Sequence, residues 1–141
     1  MQWNPYLTFN GQCQAAFKFY ERCLGGKILA MIPFGDTPSA EHLPAEHRGK
    51  IMHARLVAGD QVLMGSDGRP GEPYEGVKNC SVAVQVKTPH EAERLFNALS
   101  EKASILMPLQ ETFWAVRFGM LTDQFGVPWM INCEKPRPAG A

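Results

Sequence analysis

The chain repeats one structural pattern, and this internal duplication limits the folds that it can adopt. Two predicted helices have apolar faces of matching spacing, and two predicted hairpins contain the same Asp-Gln pair. The repeated residues are Ala16, Phe19, Tyr20, Cys23 and Asp60-Gln61 in the first copy, and Ala92, Leu95, Phe96, Leu99 and Asp123-Gln124 in the second. A half of about 70 residues could barely bury a core by itself. We therefore predict two similar modules that fold together, with a ligand cleft between them.

Both modules have the same predicted element order, β-α-β-β-β. Strands are predicted from alternating or short apolar runs, and helices from apolar residues at helical spacing. The first module comprises strand 6–9, helix 12–24, strand 27–34 and a hairpin of strands 51–58 and 61–66. The second comprises strand 81–86, helix 89–101, strand 104–109 and a hairpin of strands 113–122 and 127–133. Gly25 predicts the end of the first helix, and Thr88 followed by Pro89 predicts the start of the second.

Two irregular segments and a tail complete the predicted organisation. We predict one domain over residues 1–141, with module one at 1–67, a Gly- and Pro-rich linker at 68–79, module two at 80–134 and a flexible tail at 135–141. Residues 35–50 hold prolines, mixed charges, His42 and His47. They are either a mobile flap over a cleft or a solvated surface excursion.

Composition and charge exclude several classes of partner. The 141 residues are 45% hydrophobic and 20% charged, with 14 basic and 14 acidic residues. Such a chain is predicted to fold, and it has no basic field for nucleic acid. We also predict no membrane partner and a cytoplasmic location, because the sequence shows neither a long apolar stretch nor a signal-peptide pattern.

The four cysteines do not form a pattern that indicates metal binding. They are widely spaced, without a C-x-x-C pair, and each lies in or beside a predicted helix or strand. We interpret Cys13, Cys23, Cys80 and Cys133 as reduced core thiols, since a buried free cysteine behaves as a small hydrophobe.

Several short strings resemble one known family. They are Tyr6-Leu7-Thr8-Phe9-Asn10-Gly11, Ala16-Phe17-Lys18-Phe19-Tyr20, Leu24-Gly25-Gly26, His53-Ala54-Arg55-Leu56, Gly65-Ser66-Asp67, Phe113-Trp114 and Asp123-Gln124-Phe125-Gly126-Val127-Pro128-Trp129. Together with the paired modules, they resemble the vicinal oxygen chelate superfamily of glyoxalases, bleomycin-resistance proteins and extradiol dioxygenases, in its PhnB-like branch. Some proteins of that branch are described as demethylubiquinone methyltransferases. This chain lacks the glycine-rich fingerprint for S-adenosylmethionine.

The resemblance implies an α+β fold in which two tandem βαβββ modules form a curled mixed sheet around a cleft, with helices on the outer faces. Strand alternation then sorts the side chains into a helix face and a cavity face. The cavity face is predicted to hold Tyr6, Thr8, Asn10, His53, Arg55, Met64, Ser66, Ser81, Ala83, Gln85, Ala115, Arg117, Met130 and Asn132. The helix face is predicted to hold Leu7, Phe9, Ala54, Leu56, Leu63, Val82, Val84, Val86, Val116, Phe118, Trp129 and Ile131.

The positions at which metal-dependent relatives carry their ligands have unsuitable residues here. The resemblance places those positions at Tyr6 (or Pro5), Met64, Ser81 and Met130. Neutral thioethers bind zinc, nickel, iron or manganese poorly. We therefore predict no metal and no cofactor. An alternative cluster of Glu41, His42, Glu46 and His47 is better explained as solvated charge, because an irregular loop does not fix its ligands.

Three functions remain open. The first is a metal-free small-molecule-binding protein whose ligand contacts are Tyr6, Thr8, Arg55, Met64, Ser66, Ser81, Gln85, Trp114, Arg117, Met130 and Asn132. The second is a glyoxalase- or lyase-like enzyme for a small anionic metabolite, in which Arg55 and Arg117 clamp the anion and His53 transfers a proton. His53 could instead make a structural hydrogen bond. The third is a homodimer without a ligand, in which Phe113 and Trp114 belong to the interface.

Overall fold

The computed structural model describes residues 1–136 and divides into two compact units, Met1–Lys78 and a second unit that starts at Asn79. Each unit contains one helix and one mixed four-stranded sheet. Unit 1 comprises β1 (Tyr6–Phe9), α1 (Cys13–Leu24), β2 (Lys27–Pro33), β3 (Ile51–Ala58) and β4 (Gln61–Asp67). Unit 2 comprises β5 (Val82–Gln85), α2 (Pro89–Leu99), β6 (Ser104–Gln110), β7 (Ala115–Thr122) and β8 (Pro128–Glu134).

The two sheets have the same topology. The strand order is β1-β4-β3-β2 in unit 1 and β5-β8-β7-β6 in unit 2. In each sheet the first and last strands pair in parallel, and the other pairs are antiparallel. The predicted α+β class and the repeated βαβββ order are therefore confirmed. The observed element ends lie within about two residues of the predicted ones, as is usual for such boundaries.

Local sequence explains how the helices begin and end. The Thr88 hydroxyl caps α2 by accepting a hydrogen bond from the Glu91 amide, as predicted, and Gly25 ends α1 in the left-handed conformation with φ of 70°. Gln12 provides no side-chain cap for α1. The buried Asp67 carboxylate at the end of β4 replaces it, because it accepts hydrogen bonds from the amides of Gly11 and Cys13.

The core of each unit lies between the helix and one face of its sheet. Phe9, Phe17 and Tyr20 pack together in unit 1, and Trp129, Ile131 and Leu99 are fully buried in unit 2. Glycines allow close contact at two points. A Cβ at Gly65 would lie 2.8 Å from Phe17 Cε1, and one at Gly119 would lie 2.6 Å from Phe96 Cε2.

Several predictions need correction. Cys80 is exposed and lies outside β5, so the description of all four cysteines as core thiols is wrong for that residue. Phe113 and Trp114 precede β7, which starts at Ala115. Residues 35–50 carry short 3-10 helices, and His47 among them is buried. The predicted flexible tail extends beyond the residues that the structure describes.

Neither helix within residues 1–136 has the length and apolar content needed to span a bilayer.

Candidate functional site

The open face of unit 1, defined as the sheet face opposite α1, brings most of its predicted site residues together. Strand pairing sets Tyr6 beside Met64 and Met64 beside Arg55, so the three form one row across β1, β4 and β3. Thr8 and Ser66 form the next row. Directly paired residues share a sheet face. Leu7, Gly65 and Ala54 form the alternate row, which faces Phe17 of α1.

Tyr6 and His53 contact each other on this open face. Their rings stack at a centroid distance of 5.9 Å, and the Tyr6 hydroxyl lies 3.3 Å from His53 Nδ1. The Tyr6 side chain is exposed and His53 is half-buried. Because this contact involves only Nδ1, the other ring nitrogen, Nε2, can take part in proton transfer or ligand binding.

Arg55 provides positive charge beside this pair. It is half-buried, and within residues 1–136 no carboxylate or other acceptor is bonded to its guanidinium. A half-buried arginine normally binds an acceptor, and its planar donors match carboxylate or phosphate oxygens. Arg55 is therefore available to bind an anion.

The sheet face of unit 2 opposite α2, its open face, contains an amide pair beside Phe118. Asn132 Nδ2 donates to Gln85 Oε1 at 2.8 Å, and Asn132 pairs in register with both Gln85 and Phe118. Asn132 is 7% exposed, and its Oδ1 has no hydrogen-bond partner in the described part of the chain. The ring of the exposed Trp114 packs edge-to-face with that of Phe118 at a centroid distance of 5.2 Å. Met130 lies on the same face, in register with Ala83.

Two predictions for β7 are wrong. Arg117 was predicted on the open face and Phe118 on the helix face, but their positions are exchanged. Arg117 Nε lies 3.4 Å from Glu93 Oε1 of α2, and Arg117 pairs in register with the buried Cys133. The register shifts between Ala115 and Arg117, and this bulge reverses the alternation after it. Arg117 is thus no structural equivalent of Arg55.

A cavity of about 140 Å³ in unit 1 involves residues that sequence reasoning missed. It is lined by residues 8–11, by His47 and Lys50, and by residues 68–74. The strand pattern placed Thr8 and Asn10 on the predicted cavity face, and only Thr8 among the lining residues was a predicted ligand contact. His47 was assigned to solvated charge, and residues 68–74 to a linker. The sequence signal available for His47 was its position in an irregular segment that also contains prolines and glycines.

Comparison with known proteins identifies the family. The family model of the Glyoxalase/Bleomycin resistance protein/Dioxygenase superfamily matches residues 3–131. The chain belongs to this superfamily. It is 40% identical over 149 residues to Protein YjdN of Escherichia coli, covering 98% of this chain and 99% of that protein. These matches confirm the resemblance stated from the sequence.

Two solved structures have a similar fold. Protein PA1353 from Pseudomonas aeruginosa is 56% identical with a TM-score of 0.89, covering 96% of this chain and 99% of that one. The PhnB protein from Bacillus cereus is 23% identical with a TM-score of 0.78, covering 94% of this chain and 99% of that one. At that lower identity, the second likeness shows the fold alone.

The metal ligands expected of some superfamily members do not fit the residues present. Met64 pairs with Tyr6 in unit 1, and Met130 pairs with Ala83 in unit 2, whereas Ser81 lies exposed outside β5. The strand pairing in unit 2 places Ala83, two residues after Ser81, beside Met130, as Tyr6 lies beside Met64 in unit 1. Neither row contains an imidazole, carboxylate or thiolate. Across residues 1–136, no group of three or more His, Cys, Asp or Glu side chains is arranged to hold a metal ion.

Proposed function

We propose that this chain is a small-molecule-binding protein that binds a small organic acid on the open face of unit 1 without a metal ion. The observation that carries the proposal is that Arg55 is half-buried and its guanidinium has no partner among the described residues. It would bind the acidic group of the ligand, because charge-assisted bidentate bonds favour such pairs. Tyr6 and Met64 lie in the same row and offer apolar contact to the body of the ligand.

Most of the other predicted ligand residues also lie on an open face, and two of them do not. Thr8 and Ser66 supply hydroxyls on the same face of unit 1. On unit 2, taken by itself, Gln85, Trp114, Met130 and Asn132 supply an amide pair and apolar surface, and Asn132 Oδ1 would accept a hydrogen bond from a small molecule bound there. Ser81 and Arg117 do not enter the proposal, because neither lies on an open face.

Benzoate and its neutral analogue benzamide test the proposal directly. We expect benzoate to raise the melting temperature saturably and to bind at least about tenfold more tightly than benzamide, since bonds to charged groups contribute about 1.5–3 kcal/mol. Arg55→Gln should remove that preference. The control Arg22→Gln changes an exposed arginine on α1 and should retain it. Excess EDTA should not change the benzoate response of the wild-type protein.

Two results would contradict this proposal. Equal responses of the Arg55→Gln and wild-type proteins to benzoate would show that Arg55 does not bind the acid. Loss of the response in EDTA, with recovery on adding one divalent ion, would restore the metal-dependent alternative.

An enzyme is the second candidate, and the contact between Tyr6 and His53 favours it. The Tyr6 hydroxyl, 3.3 Å from His53 Nδ1, orients the imidazole. His53 would then transfer a proton to or from an acid held by Arg55. In that case, His53→Gln would abolish turnover while leaving benzoate affinity within a few-fold of wild type. A structural role would instead lower the stability of both the free and the bound protein.

We further propose that the protein works as a homodimer in the cytoplasm. Exposed apolar side chains support self-association, notably Phe113 at 89% exposure next to Trp114 at 41%. All four cysteines are free thiols, and three of them are buried, which suits a reducing compartment.

A further inference from the structure

The cavity of unit 1 has features of a binding site that is separate from Arg55. Its volume is about 140 Å³, which exceeds the space of a single water molecule, about 30 Å³ in the liquid. The loop before β3 supplies His47 and Lys50 to its wall, the end of β1 supplies Thr8 and Asn10, and residues 68–74 complete it. All of these residues belong to unit 1.

His47 lines this cavity, and one of its polar atoms is unpaired. The residue is only 5% exposed, and its ring packs against Phe34 at a centroid distance of 4.7 Å. Its Nε2 atom is buried and has no hydrogen-bond partner among residues 1–136. Buried polar atoms are nearly always paired in native proteins, so an unpaired one at a cavity wall indicates a missing partner.

The loop holds His47 in a fixed position. The Phe34 amide donates to the Lys50 carbonyl at 2.8 Å, and the Gly35 amide donates to the Arg48 carbonyl at 2.9 Å. The Lys50 amide donates to the His47 carbonyl at 3.1 Å. These bonds tie both ends of the loop together, so a ligand would meet an imidazole that is already placed.

The charges around the cavity favour an anion. The Lys50 side chain is half-buried, and the described residues give its ammonium no ion-pair partner. Arg69 and Glu72 also line the cavity, and both side chains are exposed. Arg69 Nε lies 4.0 Å from Glu72 Oε1, so their opposite charges offset each other. The nearby Asp67 carboxylate already accepts hydrogen bonds from three backbone amides, those of Gly11, Cys13 and Ile51. The side-chain groups around the cavity that have no partner among the described residues are therefore mainly hydrogen-bond donors.

We propose that this cavity binds a compact oxyanion, a phosphate or a small carboxylate, between His47 Nε2–H and the Lys50 ammonium. Both groups donate to oxygen, and neither has another partner in the described residues. Thr8 and Asn10 can add a hydroxyl and an amide donor from the end of β1. The site is additional to the binding at Arg55 and does not depend on it.

Titration of the protein with inorganic phosphate, acetate and chloride at constant ionic strength tests the site. We expect phosphate, acetate or both to shift the 15N resonance of His47 Nε2 saturably, while chloride does not. His47→Phe keeps a ring against Phe34 and removes the donor, and Lys50→Met removes the charge but keeps the aliphatic chain. By calorimetry, each variant should weaken binding of the anion at least about tenfold.

One control variant separates this site from nonspecific binding to surface cations. Lys18→Met removes an exposed lysine on α1 and should leave anion binding unchanged. Binding of phosphate alone would identify the phosphate class, and binding of acetate alone would identify the carboxylate class. No saturable shift with either anion, or unchanged affinity in Lys50→Met, would overturn the proposal even if His47→Phe did not fold.

Discussion

Two buried aspartates show how single residues organise this fold. Asp67 accepts hydrogen bonds from the amides of Gly11, Cys13 and Ile51. Asp123 accepts them from the amides of Phe125 and Val127 and from Trp129 Nε1. Several donors can stabilise a buried carboxylate that would otherwise be costly to desolvate. Each aspartate therefore fixes a loop on the core beside it.

The thiols provide a prediction at the scale of single residues. Burial, with a smaller contribution from the Asp67 charge, raises the pKa of the Cys13 thiol to about 12. We expect the native protein to react rapidly at the exposed Cys80 only, whereas the unfolded protein reacts at all four cysteines. Absorbance after addition of Ellman's reagent at pH 8 measures both counts. Cys80→Ser should abolish the fast native reaction, and a fast reaction in that variant would show that the three buried thiols open readily.

The raised pKa of Cys13 also predicts how the free energy of unfolding changes with pH. The unfolded Cys13 thiol ionises near its ordinary pKa of 9.0, while the folded thiol stays neutral until about 12. Since the folded state retains the proton longer, this residue lowers the free energy of unfolding as pH rises from 9 to 12.

At the scale of elements, the strands could be predicted where their alternation is uninterrupted. Both rows of β1 and β4 lie as predicted, and so do the faces of β5 and β8. The faces of β7 could not be predicted, because a bulge has no reliable signature in the sequence and reverses every later side chain. The burial of His47 could not be predicted from the sequence either. It depends on backbone bonds that close the loop, and any residue type except proline can donate those bonds.

The contact between β4 and α1 gives a prediction for the packing of elements. A Cβ at Gly65 would lie 2.8 Å from both the Leu7 carbonyl oxygen and Phe17 Cε1. Gly65→Ala should therefore lower the free energy of unfolding by about 1–3 kcal/mol, the usual effect of overpacking. Urea unfolding measures this change. Gly49→Ala is the matched control, because no atom lies within 4 Å of its added Cβ, and its effect should stay within about 0.5 kcal/mol. Equal stabilities of the two variants would contradict this account.

At the scale of the whole molecule, duplication accounts for the repeated topology but not for the local chemistry. Asp60 and Asp123 both lie at the turn of a hairpin, as the repeated Asp-Gln pair predicts. Only Asp123 is buried; Asp60 is exposed and bonds the adjacent Gln61 side chain. The two copies thus keep one backbone plan while their polar side chains have diverged.

The proposed homodimer gives a prediction for the assembled molecule. Light scattering coupled to gel filtration should report twice the chain mass of 15.7 kDa. If Phe113 lies in the interface, Phe113→Ser should shift the protein toward the single-chain mass without lowering its helix and strand content, because that side chain is 89% exposed. Trp3→Ser is a suitable control, since Trp3 is a comparably exposed aromatic residue at 87%. A wild-type protein of single-chain mass would exclude the dimer.

The two units differ most in the connection between their second and third strands. Residues 34–50 make this connection in unit 1, whereas residues 111–114 suffice in unit 2. The longer connection is closed at its base by the bonds from Phe34 to Lys50 and from Gly35 to Arg48. Lengthening a closed loop costs little, about 0.6 kcal/mol for each doubling. The exposed Pro38–Ser39 bond is therefore a suitable insertion site in protein engineering. A foreign peptide or reporter inserted there would not require the sheet to be redesigned.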